Sequence, residues 1–245
     1  MDLAPLQPAL IGSQPEHSAA QLLLGDCLNL LGGLPDNSVD CILTDPPYGY
    51  DYLSRSKKLP KVRIANDGHC AIPLLRRALQ LVYPKLKADG VGLVFTNWQC
   101  FTAMAAAVEE AGYVTTNTLI WVKNAWTRGD MRGNWGYKYE FILFFRKKNL
   151  PTKLRRFLNG QREGNVLVYP RVPTQSMRHP TEKPVALLKY LIEKVTQPGE
   201  TVLDMFAGVG STGVAAQQAG RRPILIELER VWCDVAMSRL QGALA

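Results

Sequence analysis

At 245 residues and 47% hydrophobic content, the chain is long enough to bury one full α/β core and too apolar to be disordered. A formal net charge of +8 and a pI near 9.3 point to a polyanionic partner or an anionic surface. No run of about 18 apolar residues and no basic-then-apolar leader is present, so a cytoplasmic location without membrane contact is expected. The five cysteines, at 27, 41, 70, 100 and 233, lack C-x-x-C spacing and His partners, so they are read as reduced thiols in or near the core, with no metal site.

In chain order, residues 1–19 carry three prolines and few periodic signals, which predicts a loosely held tail ahead of one domain over 20–245. A strand over 21–25 ends at Gly25-Asp26-Cys27. The next, 41–45, ends in Asp45-Pro46-Pro47-Tyr48, and the C-terminal ends of such strands are where open α/β sheets bind ligands. That tetrapeptide suits an exocyclic amine of a nucleobase. The amine lone pair is delocalised into the ring, so attack on an electrophile requires acceptors that draw its two N–H bonds out of plane. Asp45 offers a carboxylate oxygen and Pro46 a backbone carbonyl, aimed by consecutive prolines that fix φ and remove donors. Tyr48 can stack on the base. A Pro-rich turn after a strand is the plainer reading of the same four residues.

Residues 50–67 follow with five Lys or Arg, read as a loop over a base pocket. A helix is predicted over 71–87, a strand over 91–96, a helix over 99–111 and a strand over 117–122. Residues 124–138 interleave Trp126, Arg128, Arg132, Trp135, Tyr137 and Lys138 with glycines, a composition suited to unstacked bases or to an ordinary strand connection with inward aromatics. Lys123-Asn124, after Trp121, is left out of the catalytic set, since a strand end near a target base and a buried Lys satisfied by Glu140 would look the same. After a strand over 139–146, residues 147–178 hold eight Lys or Arg against one acid, Glu163. This insert is expected to contact phosphates. Its shortness suggests either lax recognition or help from a second subunit, that is, a homodimer.

Next come His179-Pro180-Thr181-Glu182-Lys183-Pro184 and a helix over 184–196 with an apolar stripe at Val185, Leu188, Ile192 and Val195. A strand over 201–205 then enters a glycine turn, Asp204-Met-Phe206-Ala-Gly208-Val-Gly210-Ser211-Thr212-Gly213, 159 residues beyond Asp45. Helix 212–219, with Ser211 as its expected cap, strand 223–227 and helix 230–242 complete the chain. The glycines satisfy G-x-G-x-x-G, and Glu227 stands 19 residues after Gly208, so a nicotinamide oxidoreductase is one candidate. Asp204 argues against it. A carboxylate at the mouth of that strand repels a pyrophosphate but suits the ammonium of a methionine moiety. Glycines that admit a ligand to the backbone and a Glu227 able to accept both ribose hydroxyls complete a set of demands that S-adenosylmethionine meets.

With Asp45–Tyr48 first, His179–Pro184 much later and Asp204–Gly210 after that, the chain resembles the β-class amino-methyltransferases that act on DNA, over about residues 20–240. The resemblance implies a mostly parallel, seven-stranded Rossmann-like sheet with helices on both faces, in circularly permuted order. It also implies Asp26 and Cys27 at the cofactor adenine, Glu227 at the ribose, and Asp204, Phe206, Gly208 and Gly210 at the methionine part, with Thr181, Lys183 and Thr212 near its carboxylate. Asp45, Pro46, Pro47 and Tyr48 form the implied catalytic set. The implied reaction is methyl transfer to the amino nitrogen of a flipped base. Adenine N6 is preferred, because the family's cytosine-N4 members more often carry Ser in place of Asp45. Transfer to cytosine N4, to structured RNA or to a glutamine amide remains open, as does a catalytically idle DNA-binding module.

Overall fold

The computed structural model describes residues 9–11, 20–49, 65–126 and 132–243. Nine strands, β1 (Ala9–Ile11), β2 (Ala20–Leu24), β3 (Val39–Thr44), β4 (Leu86–Thr96), β5 (Tyr113–Val122), β6 (Tyr139–Lys147), β7 (Val166–Val168), β8 (Thr201–Asp204) and β9 (Arg222–Glu227), form one sheet. Their order is β1-β2-β9-β8-β3-β4-β6-β5-β7. The five pairs β2–β9, β9–β8, β8–β3, β3–β4 and β5–β7 are parallel. The other three are antiparallel. All seven predicted strands are present. The two additions are short edge strands. β1 pairs with β2 inside the segment expected to be a loose tail, and β7 pairs with β5 inside the basic insert.

Burial explains the sequence pattern of the centre. A parallel strand covered on both faces reads as a continuous apolar run, and all six residues of β3 are buried. Ile42 points into one layer with Leu79 and Met104, while Cys41 and Leu43 point into the opposite layer with Leu188 and Ala215. Helices α1 (Cys27–Leu30), α2 (Ala71–Val82) and α3 (Phe101–Glu110) cover the first face. Helices α4 (Val185–Val195), α5 (Ser211–Gln218) and α6 (Arg230–Gly242) cover the second. Truncating Leu43 or Ile42 to Ala would cost about 2–5 kcal/mol at such sites.

Local differences from the expected boundaries have identifiable causes. Helix α2 stops at Val82, five residues before the predicted end, because Pro84 has no N–H to extend the ladder and the Lys85 N–H turns back to the Val82 carbonyl. Ser211 does not cap α5. Gly210, at φ 75°, occupies that position, and Ser211 Oγ instead lies 3.1 Å from the Arg239 guanidinium. Gly213 is a packing residue: a methyl there would meet Leu225 Cδ1 at 2.5 Å and Leu240 Cδ2 at 2.8 Å, so its absence lets α5 lie close on β9 and α6. Four cysteines are buried as expected, but Cys70 is exposed at the start of α2.

Candidate active site

The sheet brings together what the chain separates. Strands β3 and β8 are parallel neighbours, so Asp45 and Asp204 emerge side by side at their C-terminal ends. Thr44 Oγ1 donates to Asp204 Oδ1 at 2.6 Å, pinning one strand end to the other. Around this point lies a cavity of about 190 Å³ whose walls contain every predicted catalytic and cofactor residue except Gly210.

On the β3 side, Asp45 Oδ1 accepts the Tyr48 hydroxyl at 2.6 Å and Oδ2 accepts the Lys183 ammonium. Both oxygens keep lone-pair capacity for an incoming N–H, since a carboxylate accepts at about four sites. Lys183 also approaches Glu140 Oε2 at 3.4 Å and lies over the Phe95 ring, 5.1 Å from its centre. Glu140 Oε1 in turn accepts Lys123 at 2.5 Å, one of the two places the sequence left open for that lysine. Burial pushes the Asp45 carboxyl up against the opposing pull of Lys183. Although burial opposes the charged form of Lys183, its two carboxylate partners hold it protonated. Tyr48, driven up by burial and by Asp45, is a neutral donor.

The backbone after the two prolines needs its own acceptor, because Tyr48 and Gly49 carry the first N–H groups available there. Asp67 supplies it, with Oδ1 at 2.8 Å from Tyr48 N and 2.6 Å from Gly49 N. The sequence placed Asp67 only as an acid in a basic loop. Nothing in the local pattern pointed to this partner, which lies 19 residues away in sequence.

On the β8 and β9 side, Asp204 accepts from Thr44, from the Phe206 N–H at 3.1 Å and from Thr212, while burial raises its pKa. Glu227 accepts from Gly208 N at 2.7 Å and Glu229 N at 2.8 Å, and burial lifts its carboxyl to about 7. Gly208 has φ 51° and open space where a Cβ would stand, so a ligand can approach its backbone. Gly210, which the resemblance also places at the methionine part, is not among the residues lining the cavity. A Cβ there would sit 2.8 Å from Ala236 Cβ, so its role is the left-handed turn and the close approach of α6. Asp26 caps α1 through Leu28 N at 2.9 Å, leaving its second oxygen for the pocket, and burial raises the neighbouring Cys27 thiol to about 12. His179 Nδ1 lies 3.0 Å from Thr181 Oγ1, its ring meets Trp232 edge to face at 4.6 Å, and burial lowers its pKa to about 4. The His179–Pro184 segment is fastened by Glu182, which pairs with Arg239 at 3.0 Å.

A family model described as DNA methylase, covering amino-methyltransferases of the N6 and N4 type, matches residues 39–238. The chain is also 36% identical over 224 residues to YubD of Escherichia coli (strain K12), provisionally named a methylase, with 90% of each chain covered. The chain belongs to the DNA methylase family. Two solved structures share its fold: the M1.HpyAVI–SAM complex at TM-score 0.69 and 24% identity, covering 89% of this chain and 98% of that one, and the cytosine-N4-specific PvuII DNA methyltransferase at TM-score 0.71 and 20% identity, covering 90% and 86%.

The side of this methylase expected to meet DNA is only partly among the described residues. Of the loop 50–67, residues 50–64 lie outside them, as do 127–131 of the loop 124–138. In the described part of the second loop, Trp135 is 91% exposed and Tyr137 stacks against Trp98 with centroids 5.9 Å apart. In the 147–178 insert, Lys153, Arg155 and Arg162 are exposed. Arg156 is not a free surface cation. It is half-buried against Glu200, Asp89 at 3.1 Å and Asp40 at 3.2 Å, and so anchors the insert to the base of β3. Lys147 and Lys148 are likewise spent on the Leu86 and Glu109 carbonyls, both at 2.7 Å.

Proposed function

We propose that this DNA methylase transfers a methyl group from S-adenosylmethionine to N6 of an adenine extruded from DNA. The observation that carries the reading is the adjacency of two unlike halves in one cavity: Asp45 with its oriented carboxylate at the end of β3, and Asp204, Gly208 and Glu227 at the ends of β8 and β9. The second half fits the cofactor by its donor set. Glu227 retains lone pairs for ribose hydroxyls, Gly208 admits a ligand against its backbone, and Asp26 keeps a free oxygen for an adenine amine. The cofactor supplies an electrophilic methyl sulfonium. Asp45 and the Pro46 carbonyl would accept the two N–H bonds of the target amine and free its lone pair for attack. Alignment and polarisation carry most of such a step. A charged acceptor polarises the poorly nucleophilic adenine amine more strongly than a hydroxyl would, which is why Asp45 favours adenine.

Extrusion costs a few kcal/mol of unstacking, to be offset by basic and aromatic contacts from Trp135, Lys153 and their neighbours. The test is reaction with labelled cofactor and DNA followed by nucleoside mass spectrometry. N6-methyladenine is the expected product. N4-methylcytosine as the sole modified base would overturn the adenine assignment and leave the two-half mechanism standing.

A further inference from the structure

The buried cation of the cavity is bonded to the catalytic carboxylate. From the end of β5 across to the end of β3, Lys123, Glu140, Lys183 and Asp45 alternate in charge, joined by hydrogen bonds except for the 3.4 Å ion pair between Glu140 and Lys183, and the Tyr48 hydroxyl donates to the last of them. Lys183 sits within this row, 8% exposed, with Asp45, Glu140 and the Thr181 carbonyl (3.4 Å) around its ammonium and the buried Phe95 ring beneath. The two ammonium and two carboxylate charges cancel. We infer that Lys183 is a positioning residue that keeps Asp45 ionised and aimed at the target amine, with Glu140 setting the place of Lys183, rather than a ligand of the cofactor carboxylate.

The groups that face Asp45 set its charge. Glu140 and Asp204 are both acids, and Tyr48 is a neutral hydroxyl that can only donate to it. Among the described residues, Lys183 is therefore the cation that offsets two like charges and enclosure, both of which favour a protonated carboxyl. A protonated Asp45 would present a donor where the target amine needs an acceptor. Neutralisation by Glu140 serves a second end. In a pocket that takes a sulfonium, an uncompensated ammonium would oppose binding of that cation.

The inference rests on the methyl-transfer reading, so its test includes a readout that does not. In protein labelled with ¹³C at aspartate side-chain carboxyls, Asp45 is assigned by its loss in Asp45→Asn and titrated by NMR. Lys183→Met should move the Asp45 titration upward by about one pH unit or more, and Glu140→Gln should move it downward. The acid limb of kcat against pH should follow in the same two directions, with cofactor Kd in Lys183→Met within about threefold of the parent and Glu140→Gln binding the cofactor more weakly. Lys183→Arg, which keeps the charge and guards against a Met variant that does not fold, should hold the titration near the parent while lowering kcat more than it raises KM. An Asp45 titration unmoved by Lys183→Met, or a cofactor affinity reduced more than about tenfold with the titration unmoved, would overturn the inference. Absence of methyl transfer by the parent protein would count against the proposed function and would leave the NMR result to decide this point.

Discussion

Asp45 and Glu227 are both acids at strand ends in one cavity, yet their surroundings give them different work. Asp45 is bonded to Lys183 and Tyr48, and under the proposed reaction its carboxylate is separable from cofactor binding. Asp45→Ala should lower kcat by about 100-fold or more, the scale of losing a principal polar group of a transition state. Glu140 remains to pair Lys183 in that variant, so the fold and cofactor affinity should persist, and isothermal titration with cofactor checks the second half. A loss of affinity as severe as that of Asp204→Ala would refute the division. Glu227 makes a pH-dependent statement instead. Burial lifts it to about 7, and only its ionised form accepts from two hydroxyls. Cofactor affinity should therefore be full above pH 8 and fall by up to about tenfold per unit as pH drops below 7. Titrations between pH 5.5 and 8.5 test this, and Glu227→Gln should flatten the profile.

At the scale of elements, the basic insert divides into an anchor and a contact surface. Arg156 bridges Asp40, Asp89 and Glu200 beneath the insert, and Asp40 is fully buried. Arg156→Ala should cost about 1.5–3 kcal/mol of stability, because it removes charge-assisted bonds to Glu200 and Asp40, although Lys87 at 2.7 Å and the Thr201 N–H still satisfy Asp40. Chemical denaturation measures it. Lys153→Ala, Arg155→Ala and Arg162→Ala should leave stability within about 0.5 kcal/mol. Each that contacts a phosphate should reduce the slope of log affinity against log salt by about 0.9. A slope unchanged in the triple variant would show that these cations form only a solvated face. The glycine turn divides in the same way. Gly208 is open toward the cavity, whereas Gly210 and Gly213 serve the packing of α5 on α6 and β9.

For the whole molecule, the proposed cofactor half (β2, β9, β8) and the proposed target half (β3, β4, β6, β5) form one sheet whose seam is the β3–β8 pair. The Thr44–Asp204 bond crosses this seam between residues 160 apart in sequence. A ligand seated against that seam binds the folded state alone and should stabilise the entire domain. Cofactor at 100 times its Kd contributes about 2.7 kcal/mol. For a domain of this size that raises Tm by about 5–10 °C. Scanning fluorimetry with increasing cofactor checks it, and no shift at saturating concentrations would mean that the cavity does not take this ligand.

The sequence by itself determined the chemistry-bearing segments and the elements that carry them. Strands β3, β8 and β9 were legible as apolar runs because central strands are buried on both faces. Asp45–Tyr48 and Asp204–Gly210 were legible because their residue types follow from the groups they would hold. Helix α4 was legible from an apolar stripe whose Leu188, Ile192 and Val195 are indeed buried. Tertiary structure alone decided which charges meet. The binding of Lys183 to Asp45, the capture of Tyr48 and Gly49 by Asp67, and the withdrawal of Arg156 from the surface each join residues that no local periodicity relates. Edge strands β1 and β7 belong to the same class, since three-residue strands form by pairing with a neighbour rather than by a pattern of their own. Local pattern reports what a residue buries. Which partner satisfies a buried charge depends on the strand order of the sheet, and here that order places the last motif of the chain beside the first.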